Sequence, residues 1–189
     1  MPSRRPADQI VAFPRALDVD TLAAGLLDRG TVLSPVEVDD ALLQLPRAEG
    51  PVLIAFAHLH GLLAGPDLSR VIGEVWSMAE YPDRELDHSV WRALFAEAGF
   101  TSDGHAAARP QQPVRLFRGA VAERRADWSW TDRPDVARSY AEDGIRSRPT
   151  GRVWTALVEP ARLLARNTGR DESEYVVDTG GLRISEALR

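Results

Sequence analysis

Cysteine and lysine are both missing from this 189-residue chain. Without cysteine there is no disulfide, no thiolate metal site and no thiol nucleophile, so a reducing compartment is permitted but not required. Without lysine, all 23 basic residues are arginine. Avoidance of lysine-directed modification would produce that bias, and so would a GC-rich genome. The single asparagine and the abundance of Ala, Arg, Gly and Pro agree with the genome reading. Long apolar runs are also lacking: none approaches the roughly 18 residues of a membrane-spanning helix. The first residues, MPSRRPADQIVAF, carry two arginines and no signal-peptide apolar region. The expectation is a cytoplasmic protein with no membrane partner.

What is present suits a folded protein. The hydrophobic (44%) and charged (27%) fractions are those of a soluble globular chain, and this length can bury roughly 70% of its unfolded surface without staples. Charge is uneven. Residues 1–113 hold 9 arginines and 16 acids, a net of −7; residues 114–189 hold 14 arginines and 12 acids, a net of +2. The second part is therefore the better partner for an anionic ligand, although +2 is no nucleic-acid footprint.

The first hundred residues read as helical. LDVDTLAAGLLDRG offers Asp18 or Asp20 as a cap and Gly30 as a stop. In SPVEVDDALLQL, Ser34, Pro35 and Glu37 compose a capping box. PVLIAFAHLHGLLAG is apolar nearly all round and reads as a buried helix, with a strand at residues 52–57 as the alternative. PDLSRVIGEVWSMAEYP places Val71, Val75 and Met78 on one stripe. DHSVWRALFAEAG runs from an Asp87 cap to Gly99, with Val90, Trp91, Leu94, Phe95 and Ala98 as its apolar face. Residues 101–113, rich in Gly, Pro and small polar side chains, read as a linker or exposed loop.

Beyond the linker the period changes. PVRLFRGAV, WSWT, GRVWTALVEP and EYVVD are strand candidates, and a helix is expected over about 134–142. The fold class is α+β: a helical region over 1–105 packed on a small split, mixed or antiparallel sheet over 114–189, whose face the helices must cover.

Three stretches of the second region carry chemistry. Arg118 in LFRGA offers a planar fork of donors that suits phosphate or ribose oxygens, and Gly119 would let a ligand approach the backbone. Ser129 and Thr131 share one face of WSWT, with Trp128 and Trp130 on the other. Glu172 and Glu174 have the same side-chain parity at the mouth of an apolar strand. Paired carboxylates suit reactions that pass through a cationic sugar. Taken singly, each also has a plainer reading: a solvent-facing arginine, a strand with one polar face, a solvated acidic loop. His58, His60, His88 and His105 have no ligand-like spacing, so no metal is expected. IRSRPTGR (145–152) clusters three arginines that could touch a nucleic-acid backbone or simply be solvated. There is no phosphate loop, dinucleotide fingerprint or nucleophile elbow.

The order of these stretches is strand Arg-Gly, strand Ser-x-Thr, helix, long strand, then a loop leading to Glu-x-Glu and an apolar strand. It resembles the ADP-ribosyltransferase superfamily in its arginine–serine–glutamate branch, over about residues 114–182, as a compact bacterial or phage-type member. The resemblance implies NAD as substrate and transfer of ADP-ribose to a macromolecular acceptor, protein rather than nucleic acid, with an arginine side chain as first guess. It implies that Arg118, with Gly119, holds NAD phosphate or ribose, and that Ser129, Trp130 and Thr131 shape the nicotinamide-ribose pocket. Glu174 would bind the ribose 2′-hydroxyl and stabilise the developing cation, Glu172 would face the acceptor, and the loop ARNTGRD would be the target-recognition turn. Two departures accompany it: Ser-Trp-Thr replaces Ser-Thr-Ser, and only 11 positions separate Arg118 from Ser129, which makes Arg115 the alternative arginine. An NAD glycohydrolase and a catalytically silent module binding ADP-ribose, NAD or nucleic acid stand as alternatives, as do toxin and regulatory roles.

Overall fold

The computed structural model describes residues 18–142, 149–169 and 172–187. Arg146 and Arg148 of the arginine cluster, and the end of the ARNTGRD loop, lie outside them. The described residues form seven α-helices and a mixed eight-stranded sheet.

The N-terminal helices begin and end where the local chemistry allows. Asp18 caps α1 (Val19–Arg29), accepting the Thr21 N–H at 2.9 Å, and Gly30 closes it at φ 61°. The capping box forms at α2 (Pro35–Leu43): the Glu37 carboxylate accepts the Ser34 N–H at 2.8 Å, and the Ser34 hydroxyl accepts the Glu37 N–H. The ambiguous apolar run is α3 (Gly50–Leu59), a helix. Next come α4 (Gly65–Met78), a single turn α5 (Pro82–Glu85), and α6 (His88–Ala98). Asp87 is the N-cap of α6 but makes no capping hydrogen bond, and Val90 faces outward at 37% exposure. Trp91, Leu94, Phe95 and Ala98 are buried, as the stripe requires.

The stretch read as a linker holds two short strands, β1 (Thr101–Ser102) and β2 (His105–Ala106), joined by Asp103-Gly104. Both turn residues have positive φ, 49° and 75°, which is what a two-residue hairpin demands and what Asp-Gly supplies. That dipeptide was the available signal. The remaining strands are β3 (Val114–Ala120), β4 (Ser129–Thr131), β5 (Arg152–Val158), β6 (Leu163–Asn167), β7 (Glu174–Val177) and β8 (Ser185–Glu186), with α7 (Pro134–Glu142) after β4. The stretch before Glu-x-Glu, read as loop throughout, thus begins as strand β6.

The sheet order is β2-β1-β6-β7-β4-β3-β5-β8. Only the β1–β6 pairing is parallel. β3 pairs with β5 along its full length, yet meets β4 through the single pair Phe117–Thr131. Two half-sheets therefore join at a narrow hinge, and two cores result. One, centred on α4, combines the helices with Trp128, Leu164, Ala165 and Val176. The other lies between the half-sheets and holds Leu116, Trp154, Ala156 and Val158 with Trp130, Leu163, Tyr175 and Val177. A bulge between Leu163 and Ala165 resets the parity of β6, so Leu164 and Ala165 both serve the helical core. Trp128 and Trp130 do not share a face as expected. Trp128 precedes the strand and stacks on Trp76 at 5.7 Å, while Trp130 enters the other core. Trp76, Trp91 and Trp128 are at most 1% exposed. Each gains about 5 kcal/mol of gross hydrophobic free energy on burial.

Candidate functional site

A cleft of about 830 Å³ opens between the helices and the hinge of the sheet. The sheet side contributes Phe117, Arg118, Gly119, Ser129, Trp130, Thr131, Glu172 and Glu174; α7 adds Val136, Ala137 and Tyr140; the helical region supplies Pro46–Ala48 and Trp76–Glu80 with Pro82 and Asp83. All seven residues singled out in the sequence border this one space. Arg115 is exposed and does not.

Arg118 is more committed to the protein than the sequence reading assumed. Its guanidinium donates to the carbonyls of Arg124 (2.9 Å) and Ser129 (2.5 Å) and to the Asp127 carboxylate (2.9 Å). It thereby staples β3 to the loop that leads into β4. Burial pushes its pKa down; Asp127, Asp83 and Glu174 oppose that, while Arg124 adds to it. The group remains a cation, because arginine does not deprotonate in proteins. Asp127 also accepts from Arg124 Nε at 2.7 Å, so one carboxylate serves two guanidiniums and the cluster keeps a net positive charge.

Gly119 lacks a side chain for a reason other than a ligand. A Cβ there would collide with the Ala137 carbonyl and stand 2.7 Å from Ala141 N and 2.9 Å from Tyr140 Cβ. The close approach is that of α7. Trp130 is 2% exposed and its indole donates to the Asp127 carbonyl at 2.9 Å; its ring is fixed as core rather than offered as a stacking platform. Ser129 accepts the Trp76 indole N–H at 3.1 Å, which ties the cleft floor to α4. Thr131 donates to the Glu172 carbonyl at 2.8 Å and accepts the Arg133 N–H.

The two glutamates sit at the mouth of β7, inside its half-sheet. Glu174 pairs with Thr131 on one side and Asn167 on the other. Ser173 between the carboxylates has φ 46°, a strained value for a residue with a side chain, and its buried hydroxyl has no partner among the described residues. Glu172 accepts a hydrogen bond from Tyr140 at 2.8 Å. Glu174 accepts one from Asn167 at 3.2 Å.

Several cleft residues carried no sequence signal. Asp83 is held by His88 at 2.6 Å, whose ring stacks on Trp128 at 4.3 Å. Arg47, on the turn before α3, is exposed and has no hydrogen-bonding or ionic partner among the described residues. Trp76, Asp83 and Arg47 belong to the helical region, whose pattern reads only as core and solvated surface. Among the described residues no group of three or more His, Asp or Glu side chains could hold a metal ion, and no helix is long and apolar enough to cross a membrane.

No protein-family model matches this chain, and neither a curated protein nor a solved structure matches it.

Proposed function

We propose that the chain is an NAD-dependent mono-ADP-ribosyltransferase that works in the cleft between the helices and the hinged sheet. One observation carries the reading. Arg118, Ser129, Thr131, Glu172 and Glu174, drawn from three strands and a loop, converge on a single space of about 830 Å³, within the roughly 300–1,000 Å³ range of ligand clefts. The hinged pair of half-sheets agrees with the split sheet that the family resemblance implies. The donor set also fits the ligand: a fixed cationic cluster around Arg118 and the exposed Arg47 suit a pyrophosphate, and Glu174 suits a ribose carbon that becomes positive.

Departure of nicotinamide neutralises its ring and leaves a cationic sugar, so the site must place negative charge at the anomeric carbon and keep water away. Glu174 provides the charge. Arg118 acts mainly through the pocket, holding the Ser129 and Arg124 carbonyls in place. The helical region forms the facing wall and offers the acidic surface that would receive a basic protein acceptor. One feature favours a second reading, NAD hydrolysis: Tyr140 already occupies Glu172, the carboxylate assigned to the acceptor.

The test is nicotinamide release from labelled NAD, with and without polyarginine as acceptor probe. The wild type is expected to release nicotinamide, and Glu174→Gln to lose roughly 10²–10³ in rate. Label on the acceptor selects transfer; release without label selects hydrolysis. Equal release by both proteins removes the site assignment. Calorimetric NAD binding with no release by the wild type would leave only a binding module.

A further inference from the structure

We propose that Asn167 orients Glu174. This rests on the NAD reading of the cleft. Ser129 is engaged elsewhere: its hydroxyl accepts from Trp76 and its carbonyl from Arg118. Asn167, the last residue of β6, is the direct cross-strand neighbour of Glu174. Its amide nitrogen donates to Glu174 Oε2 at 3.2 Å and to the Gly73 carbonyl at 3.0 Å. Both hydrogens of the NH₂ group are thereby used. The orientation of the amide follows, because a flipped side chain would set its oxygen against two oxygens.

The second bond reaches into the middle of α4, the central helix of the larger core. Gly73 there is buried, and glycine in a helix interior costs up to about 1 kcal/mol relative to alanine. The space it leaves explains it. A Cβ at position 73 would stand 2.7 Å from Asn167 Oδ1. A helix glycine, a strand-end amide and the carboxylate thus form one rigid series that spans the two regions. It pins Oε2 of Glu174, while Oε1 has no partner among the described residues and is left for the ribose hydroxyl. Asn167 is a positioning residue, since it acts on the sugar through Glu174.

Asn167 is the chain's only asparagine, so labelling with [¹⁵N]asparagine yields a single side-chain NH₂ pair. That pair is expected to move on Glu174→Ala and on Gly73→Ala. In kinetics normalised to the folded fraction, Asn167→Ala and Gly73→Ala are each expected to lower kcat roughly ten- to hundredfold, with calorimetric NAD affinity falling far less. Gly73→Ala is the decisive variant, because alanine favours the helix and removes no chemical group. With an active wild type, a stationary NH₂ resonance or full kcat in both variants overturns the positioning role alone. A wild type that releases no nicotinamide overturns the NAD reading, and the positioning role with it.

Discussion

Arg118→Ala is expected to destabilise the fold by about 3–5 kcal/mol, the range for removing one partner of a buried ion pair. The side chain is 13% exposed and makes three hydrogen bonds at 2.5–2.9 Å. Its loss leaves the Arg124 and Ser129 carbonyls without this donor, at roughly 1–3 kcal/mol for each buried acceptor left unsatisfied. The Asp127 carboxylate softens the effect, because Arg124 still holds it. Arg118→Lys should recover only part of the loss, since an ammonium cannot span two carbonyls and a carboxylate with a planar fork. Arg124→Ala is the control: that side chain is 36% exposed, and an exposed pair contributes about 1 kcal/mol or less. Urea unfolding followed by tryptophan fluorescence would measure all three. In a chain of this length 3–5 kcal/mol moves the melting temperature by roughly 10 °C. If Arg118→Ala loses no more stability than Arg124→Ala, with unchanged urea dependence, the stapling role is wrong.

Gly119→Ala should be among the most damaging single substitutions, because the new methyl meets the backbone of α7 rather than a movable side chain; circular dichroism melting would show a loss of several kcal/mol, and near-wild-type stability would refute it. Arg47→Gln should weaken calorimetric NAD binding roughly tenfold or more and flatten its salt dependence, without altering the melting temperature. Acid should destabilise the protein in a defined window. Glu37 is held down to about 2 by the Ser34 backbone N–H and Arg29, and Arg92 holds Asp178 low. Carboxyls depressed in the folded state stabilise it above their unfolded values and lose that contribution as pH falls through the folded ones. The urea midpoint should therefore drop as pH falls from about 4 towards 2, and Asp178→Asn should lessen the drop.

Helices α1, α2 and α6 were legible because each carries its own start, stripe and stop within about a dozen residues. Ser34 and Glu37 cap α2 by contacts three residues apart, and no tertiary partner is needed to find them. Strand β5 was equally plain, since buried Trp154, Ala156 and Val158 alternate with less buried neighbours. Strands β1, β2 and β8 escaped notice because two residues cannot show a period, and β6 because its bulge breaks the alternation of its apolar residues.

The candidate site divides in the same way. Its residue types and their order could be read along the chain; their employment could not. Strand parity does not relate Glu172 to Glu174, because Ser173 between them has φ 46°. Arg118 turns inward to carbonyls, Gly119 yields to α7, Trp130 becomes core, and Asn167 takes hold of Glu174 across a strand pair and a helix. Local periodicity and capping depend on neighbours a few positions apart, so the chain alone determines them. A hydrogen bond between residues 73 and 167, or a cleft walled by Arg47 and Glu174, depends on how the helical region packs against the sheet, and only the folded structure decides that.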